Sequence, residues 1–298
     1  METVTTSERG RAASSHGDDT RQRLLAHIPL TERRLEVAGL STTVLEGGTG
    51  APLMLLHGGR ACGGAYWARV VSRLAGHYRL LVPDAPGLGK SQPVARLDGA
   101  AFAEWFSALL RLTCDEKPAL VAHSLLGSLA ARYAVHEGEL LRRLVIYGAP
   151  GIGSYRLPLG LVVAAIRFDL QPTRRNQERF ERWAFLDSAL TKRQDPAWFD
   201  ALDAYTVARG RVRQVKRTMR QLIRIGTRQI PDAELRRVDI PTALLWGRHD
   251  RMVPLRLAED ASARLDWPLH VVDGVGHAPH LERPDAFVRT LHAALGEI

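Results

Sequence analysis

Short apolar runs alternate with longer amphipathic segments from about Thr31 onward, and this alternation limits the possible folds more than any other feature of the chain. The central runs, such as LMLL at 53–56 and ALVA at 119–122, contain no polar residue, which is typical of strands covered on both faces. Strands and helices in alternation predict an α/β fold with a mostly parallel sheet. The first two runs, Arg34–Val37 and Thr42–Leu45, predict an antiparallel hairpin.

Eight runs in all predict an eight-stranded sheet flanked by helices. The other six predicted strands are Leu53–Leu56, Leu80–Val82, Ala119–Ala122, Leu144–Tyr147, Thr242–Leu245 and His270–Val272. The predicted helices are Trp67–Leu74, Gly99–Leu112, Leu125–His136, Leu255–Leu265 and Asp285–Leu295.

One interval, residues 151–235, interrupts the alternation and has a helical pattern with no convincing strand. An insertion of this length is too long for a loop, so it should form its own helices. It follows a strand end, which is where ligands bind in open α/β sheets. The sequence therefore predicts a core of residues 25–150 and 236–298, a helical cap at 151–235, and a disordered polar tail at 1–24. Six apolar residues of the cap are candidates either for lining a pocket or for packing within the cap, namely Leu157, Leu161, Ile166, Trp183, Phe185 and Trp198.

The composition, with 45% hydrophobic and 24% charged residues, is that of an ordinary globular protein and excludes a collagen, a disulfide miniprotein and a wholly disordered chain. The uncharged run at 157–166 is shorter than the roughly 20 residues of a membrane span. The polar N-terminus disfavours export. Cys62 and Cys114 indicate neither a metal site nor a disulfide framework, and a cytoplasmic location fits.

Three residues with the chemistry of a nucleophilic site each follow a different predicted strand. Ser124 comes after Ala119–Ala122, Asp250 lies in the stretch after Thr242–Leu245, and His277 comes after the last strand. Because the carboxyl ends of parallel strands share one edge of the sheet, the three side chains can converge there. Two histidines at 277 and 280 have no third partner, so a metal site is not expected.

These residues and their order resemble the α/β-hydrolase superfamily, over essentially Thr31 to Ile298. The motifs Asp84-x-Pro-Gly-x-Gly-x-Ser91 and Gly276-His-x-x-x-x-Glu-x-Pro284 are similar to those of the capped branch that contains epoxide hydrolases and C–C bond (meta-cleavage product) hydrolases. The serine at position 124 disfavours chemistry through an aspartyl ester.

The resemblance implies a role for each residue and no cofactor. Ser124 would be the nucleophile, His277 its general base, and Asp250 the acid that orients the imidazole. The oxyanion hole would use the backbone N–H of Leu125 and one from Gly59 or Arg60. Gly58 and Gly59 would let the backbone approach the substrate, and Arg60 is either an ordinary loop arginine or a partner for a substrate carboxylate.

Two positions depart from the family pattern. The turn around the nucleophile usually reads Gly-x-Ser-x-Gly, whereas this chain has Ala122 and Leu126 at the two outer positions. Leu126 could distort the turn and misdirect Ser124, although Gly127 offers space beside it. The segment after the third strand reads HGGR rather than HGGGPG, which weakens the likeness to ring-cleavage-product hydrolases.

The basic character of the chain is concentrated in one segment. Residues 151–235 contain 16 Lys and Arg against 9 Asp and Glu and supply most of the formal charge of +9. Seven of the eight cations from 209 to 228 are spaced so that they share one side of a helix, and they predict one amphipathic helix with a basic side. They are Arg209, Arg213, Lys216, Arg217, Arg220, Arg224 and Arg228. A solvated face is the favoured interpretation, and an anionic or carrier-bound substrate comes next. The sequence disfavours a membrane surface and excludes nucleic acid, and it leaves the oligomeric state open.

The sequence thus predicts a serine hydrolase for a small, largely apolar substrate. The bond would be an ester, thioester, lactone or C–C bond, with carboxylic esters favoured and C–C bonds next. The alternative is a non-hydrolytic protein of the same fold, which would bind a small molecule or use the three residues only for acid and base chemistry.

Overall fold

The computed structural model describes residues 19–58 and 61–296, and a single eight-stranded sheet forms its centre. The strands are β1 (Thr31–Val37), β2 (Leu40–Gly47), β3 (Ala51–Leu56), β4 (Tyr78–Pro83), β5 (Ala119–His123), β6 (Arg143–Tyr147), β7 (Thr242–Gly247) and β8 (Leu269–Val272). All eight predicted strands and the α/β-hydrolase fold class are confirmed.

The sheet has the order β1-β2-β4-β3-β5-β6-β7-β8. Strands β1 and β2 form the predicted antiparallel hairpin, β2 pairs antiparallel with β4, and every later pair is parallel. The register places Leu56 beside Ala122 and Ala122 beside Ile146. The carboxyl ends of β3, β5 and β6 therefore meet at one edge of the sheet, where the loops that carry the candidate residues begin.

Thirteen α-helices are described. They are α1 (residues 19–25), α2 (Ala68–Leu74), α3 (Gly99–Thr113), α4 (Ser124–Glu137), α5 (Leu159–Leu170), α6 (Arg174–Ala184), α7 (Ser188–Arg193), α8 (Pro196–Gly210), α9 (Arg213–Gly226), α10 (Asp232–Leu235), α11 (Leu255–Leu265), α12 (Pro279–Glu282) and α13 (Pro284–Ala294). No helix in the described ranges is both long enough and apolar enough to cross a membrane.

Helices cover both faces of the sheet. In β3, Met54 and Leu56 belong to a buried cluster with residues of α3, α4 and α11, whereas Leu53 and Leu55 belong to a second cluster with residues of α2 and α13. Successive side chains of a strand point to opposite faces, so an uninterrupted apolar run supplies both layers. This is why the central strands have no polar alternation.

Six helices, α5 to α10, lie between β6 and β7, in agreement with the helical pattern predicted for 151–235. The prediction of one continuous basic helix from Arg209 to Arg228 is wrong. Helix α8 ends at Gly210 and α9 begins at Arg213, with Val212 in an extended conformation between them. Gly210 lies close to the ring of Phe168, since a Cβ at this position would be 3.1 Å from it.

The N-terminal boundary also differs from the prediction. Residues 19–24, assigned to a disordered tail, are helical, and the side chains of Arg21 and Leu24 are almost completely buried. Their burial comes from distant partners, since Arg21 pairs with Glu32 and Asp84, and a polar local sequence does not reveal such partners. The rest of the predicted tail, residues 1–18, lies outside the described residues.

Candidate active site

Ser124 lies at the sharp turn between β5 and α4. Its φ of +52° is in the left-handed region, which is unfavourable for a residue with a side chain and costs about 1–3 kcal/mol. His123, the last residue of β5, is extended and precedes the helix directly. A turn of this kind exposes the serine hydroxyl at the carboxyl edge of the sheet and is typical of a nucleophile elbow.

Leu126 does not obstruct this turn. Its side chain is fully buried in the apolar cluster beneath α4, on the side of the helix that faces the sheet. Gly127 makes the close approach instead, because a Cβ there would lie 2.9 Å from the carbonyl oxygen of Ala122 and 3.0 Å from the Cβ of Ala149. The small residue that lets α4 pack against the strands is therefore one position later than in the usual pattern.

Ser124, His277 and Asp250 form a continuous chain of hydrogen bonds. The Ser124 Oγ atom lies 2.9 Å from His277 Nε2, and His277 Nδ1 lies 2.7 Å from Asp250 Oδ2. When the proton is on Nδ1, the imidazole donates a hydrogen bond to Asp250, and its Nε2 atom accepts a hydrogen bond from the hydroxyl of Ser124. All three side chains are buried, so water competes little for these bonds.

The carboxylate of Asp250 is held by its own loop. Its Oδ1 atom accepts hydrogen bonds from the backbone N–H groups of Met252 and Val253, both at 2.8 Å. The Oδ2 atom is left for His277. Both oxygens thus have fixed partners, and this fixes the orientation of the imidazole.

The loop that carries His277 is tied to the segment between α6 and α7. The His277 N–H donates to the carbonyl of Ala184 at 2.7 Å. Glu282 accepts from Gly276 N–H through Oε1 at 2.8 Å and from Leu186 N–H through Oε2 at 2.7 Å. Burial raises the pKa of the Glu282 carboxyl to about 7, although these N–H donors favour its charged form. Glu282 thus links the histidine loop to the inserted helices.

Two further histidines near the site have structural contacts. His57 is completely buried, and its Nε2 atom accepts the N–H of Ala85 at 3.2 Å. Burial, together with the charge of Arg21, lowers the pKa of His57 to about 3, so the ring is neutral at pH 7. The His123 ring stacks on Tyr147 with a centroid distance of 4.1 Å, and its Nε2 atom lies 3.0 Å from the carbonyl oxygen of His277.

The predicted oxyanion and substrate residues are only partly described. Leu125 lies in the first turn of α4, where backbone N–H groups have no acceptor within the helix, and it lines the cavity above Ser124. Gly58 also lines this cavity, and a Cβ at this position would overlap the ring of His123. Gly59 and Arg60 lie outside the described residues. In the described ranges, no group of three or more His, Cys, Asp or Glu side chains could hold a metal ion.

Ser124 and His277 lie at the inner end of a cavity of about 430 Å³, a size suited to a small organic ligand. The core supplies its floor, and the inserted helices supply most of its walls. The apolar lining residues include Leu125, Leu157, Leu161, Val162, Ala165, Ile166, Phe168, Phe180, Val215, Met219, Ile223 and Val253. Three charged residues also line the cavity. Lys216 and Arg220 of α9 both contact Asp169 of α5.

Sequence reasoning identified part of this lining. Leu157, Leu161 and Ile166 were candidate lining residues and lie in the cavity wall, whereas Trp183, Phe185 and Trp198 do not. Tyr155 was missed. It lines the cavity and donates its hydroxyl to the carbonyl of Met252 at 3.0 Å, next to the Asp250 loop. No local motif marks this tyrosine, because its contact partner is almost a hundred residues away.

Comparison with known proteins gives the same class of fold. The sequence model of the Alpha/beta hydrolase family matches residues 53–290. A 2-hydroxy-6-oxo-6-(2'-aminophenyl)hexa-2,4-dienoic acid hydrolase of Metapseudomonas resinovorans is 26% identical over 86% of this chain and 88% of its own. A pimeloyl-[acyl-carrier protein] methyl ester esterase of Vibrio vulnificus (strain YJ016) is 27% identical over 84% of this chain and 96% of its own.

Among solved structures, the carboxylesterase CesB from Bacillus subtilis superposes with a TM-score of 0.77 at 23% identity, covering 98% of this chain and 100% of that one. The similarity of that structure concerns the fold. The family match covers most of the chain, so the protein belongs to the alpha/beta hydrolase family. It is an enzyme of the hydrolase class, as the sequence predicts, rather than the non-hydrolytic alternative.

Proposed function

We propose that this enzyme is a serine hydrolase that cleaves a carboxylic ester of a small, largely apolar substrate. The observation that carries the proposal is the hydrogen-bonded chain from Ser124 through His277 to Asp250 at the inner end of an apolar cavity. A free serine hydroxyl is a weak nucleophile at pH 7, and an adjacent base that is oriented by a carboxylate removes this limitation.

In the first half of the reaction, Ser124 Oγ attacks the ester carbonyl while its proton moves to His277 Nε2. The charged imidazolium is stabilised by Asp250, whose carboxylate is already fixed by two backbone N–H groups. The tetrahedral intermediate collapses when His277 gives the proton to the departing alcohol, which leaves an acyl-enzyme. In the second half, water gives a proton to His277 and attacks the acyl group, and Ser124 is released with its proton.

The negative oxygen of the intermediate needs donors that are already in place, each worth about 3–4 kcal/mol. The N–H of Leu125 meets this requirement, because the first turn of α4 leaves it without a helical acceptor and the helix dipole favours negative charge there. The family resemblance assigns the second donor to Gly59 or Arg60. We propose the same roles for these residues here, with Gly58 providing close approach to the substrate.

The inserted helices between β6 and β7 are proposed to act as a cap that selects the substrate, with no metal or cofactor involved. Their apolar side chains line most of the cavity. Each methylene group buried from water contributes about 0.8 kcal/mol, or nearly fourfold in affinity. We therefore expect kcat/KM for p-nitrophenyl esters to rise up to about fourfold with each added acyl methylene until the cavity is full. A cytoplasmic location is part of this proposal.

Cleavage of a C–C bond next to a carbonyl is the second candidate, and the similarity to the Metapseudomonas resinovorans hydrolase favours it. The same three residues would serve, but the leaving group would be a carbon that must be protonated. The chain's similarity to the Vibrio vulnificus esterase favours the ester, including an ester on a carrier protein.

Turnover of the two substrate classes by matched variants tests the proposal. We expect the wild type to hydrolyse medium-chain esters, Ser124→Ala to have no measurable turnover, and Asp250→Asn to lose about 10⁴-fold in kcat. Ser154→Ala, which removes an exposed serine outside the cavity, should retain full activity. Ester turnover that survives in Ser124→Ala would overturn the mechanism. Turnover of dienoates but not of esters would show that the enzyme cleaves C–C bonds rather than carboxylic esters.

A further inference from the structure

Exposed aliphatic side chains are concentrated on one side of the inserted helices. Of the eight large hydrophobic residues that are strongly exposed in the described ranges, only Leu112 and Leu190 lie elsewhere. The six that lie together are Leu157, Leu159, Val163, Ile166, Leu170 and Ile223. Leu159 is 78% exposed and Leu170 is 67% exposed, so nothing within residues 19–58 and 61–296 covers them.

Four of these residues form a continuous stripe on α5. Leu159, Val163, Ile166 and Leu170 are spaced by four, three and four positions, and at about 100° per residue they fall within one narrow sector of the helix. At 1.5 Å per residue the stripe is roughly 16 Å long. An apolar stripe that faces solvent costs free energy unless a partner covers it.

Exposed arginines lie beside this stripe on α9. Arg213, Arg217, Arg220 and Arg224 are spaced by four, three and four positions, so they too share one side of their helix. Arg220 pairs with Asp169 at 2.6 Å, and Lys216 donates to the Asp169 carbonyl at 2.5 Å. These contacts hold the carboxyl end of α5 against α9. We call the combined surface of the stripe and these four arginines the α5–α9 face.

We propose that the α5–α9 face binds an anionic lipid surface. The aliphatic stripe would enter the boundary between headgroups and acyl chains, and the arginines would lie at the level of the phosphates. Helix α5 has 12 residues, which is enough to lie flat in this boundary and too few to cross a membrane. The sequence alone favours a solvated basic face, because it does not show that the stripe on α5 is exposed.

The charge of the face decides between lipid and a second copy of the chain. A twofold dimer through this face would place eight arginines in one interface, because both copies use the same patch, and like charges repel. An acidic protein would match the arginines, but α5 presents aliphatic side chains without polar partners between them. A bilayer with anionic headgroups matches the apolar stripe and the cations at the same time.

The α5–α9 face lies beside the entrance of the cavity. Ile166 and Ile223 are both exposed and line the cavity, so the cavity opens between α5 and α9. A bound lipid surface would therefore lie beside the entrance. The lipid-binding proposal itself goes beyond the proposed function and does not depend on it, because it concerns binding without turnover.

Cosedimentation with vesicles tests the proposal. Full-length protein, as wild type and as Ser124→Ala, is mixed with vesicles of phosphatidylcholine alone or of equal parts phosphatidylcholine and phosphatidylglycerol. We expect both proteins to bind the anionic vesicles equally, to bind the neutral vesicles much more weakly, and to dissociate as sodium chloride is raised. Equal binding by Ser124→Ala separates this result from the success or failure of the proposed hydrolysis.

Two pairs of variants locate the surface. The double variant Leu159→Ser/Leu170→Ser should weaken binding at least about tenfold, because each aliphatic chain lost from the lipid costs about 0.8 kcal/mol per methylene. The control Leu112→Ser/Leu190→Ser removes two leucines elsewhere that are 55% and 53% exposed, and this variant should bind normally. Arg213→Gln/Arg224→Gln should weaken binding about 30-fold at about 1 kcal/mol per cation, whereas Arg256→Gln/Arg289→Gln should not.

Four results would overturn the proposal. The first is the absence of binding to the phosphatidylglycerol vesicles. The second is equal loss in the test and control variants, which would indicate general charge attraction. The third is binding that depends on the arginines but not on the leucines, which would show that the aliphatic stripe does not enter the lipid. Concentration-dependent dimerisation in sedimentation that is abolished by Leu159→Ser/Leu170→Ser would instead assign the stripe to a second copy.

Discussion

The guanidinium of Arg21 lies 3.0 Å from the Oδ2 atom of Asp84, and both side chains are almost completely buried. Arg21 also pairs with Glu32 at 2.6 Å and lies 3.4 Å from the hydroxyl of Tyr205 on α8. Asp84 in turn accepts the N–H of Gly64 at 2.5 Å. This ion pair therefore joins the N-terminal helix to the loops after β3 and β4 and to the inserted helices.

Replacing Arg21 by Met should destabilise the protein strongly. The variant would leave the Asp84 carboxylate buried without its cation, and breaking one side of a buried pair costs about 3–5 kcal/mol. Arg33→Met is the matched control, because Arg33 pairs with Glu46 but is 54% exposed, and such pairs contribute about 0–1 kcal/mol. Urea unfolding at pH 7 measures both free energies. Equal effects in the two variants would show that the Arg21 pair is not a structural anchor.

Restoring the usual glycine at position 126 should harm the enzyme. Leu126 is buried in the apolar cluster, so Leu126→Gly creates a cavity and adds a glycine to a helix, at a total cost of about 3–6 kcal/mol. We expect a large decrease in Tm and no gain in kcat. Gly127→Ala should also destabilise, because the added methyl group would meet the Ala122 carbonyl and the Ala149 side chain. A Leu126→Gly variant with normal Tm and higher kcat would show that Leu126 does distort the turn.

Glu282→Gln should lower kcat without changing the chemistry. The two oxygens of Glu282 accept N–H groups from Gly276 and Leu186, and a glutamine offers only one oxygen to these two donors. The His277 loop would loosen, and a displacement of about 1 Å at a catalytic group can cost up to about 10²-fold. Steady-state kinetics should show a decrease in kcat of about 10- to 100-fold with a smaller change in KM. Glu259→Gln, at an exposed position on α11, is the control.

Asp203 should make stability depend on pH in a defined direction. Burial, reinforced by the neighbouring Glu181, raises the pKa of Asp203 to about 7, and Lys192 holds both carboxylates at 2.6 Å. In the unfolded chain an aspartate titrates near about 4, so the folded state binds the proton more tightly between about pH 4 and 7. The free energy of unfolding should therefore fall as pH rises through this window.

Asp203→Asn removes this titration and should flatten the pH dependence by an amount of the order of 2 kcal/mol. The variant leaves Lys192 paired with Glu181 alone, so at pH 8 it should be at least as stable as the wild type. Asp200→Asn, an exposed position on the same helix, should leave the pH dependence unchanged. Urea unfolding at several pH values gives the comparison. An unaltered slope in Asp203→Asn would exclude Asp203 as its source.

The strands and the convergence of Ser124, Asp250 and His277 could be predicted because both depend on local patterns. An unbroken apolar run such as 53–56 supplies both faces of a covered strand, and strand ends in a parallel sheet share one edge. The burial of Arg21 could not be predicted, because its partners Asp84 and Glu32 are brought to it only by the fold.

The break within the inserted helices also could not be predicted from local sequence. The spacing of the cations predicts one helix, yet the contact of Gly210 with Phe168 accompanies a break between α8 and α9. Leu126 leaves the turn at Ser124 unobstructed, and this too depends on how α4 packs on the sheet. Whether a side chain is buried or exposed depends on packing between distant segments. The exposure of the stripe on α5 therefore cannot be predicted from the spacing of residues or from motifs.

Intact-mass analysis after treatment with a fluorophosphonate tests whether Ser124 is the nucleophile, because this reagent reacts with an activated serine. We expect one adduct on the wild type and none on Ser124→Ala, with both proteins folded by circular dichroism. No adduct on the folded wild type, or the same adduct on Ser124→Ala, would contradict the assignment of Ser124 as the nucleophile.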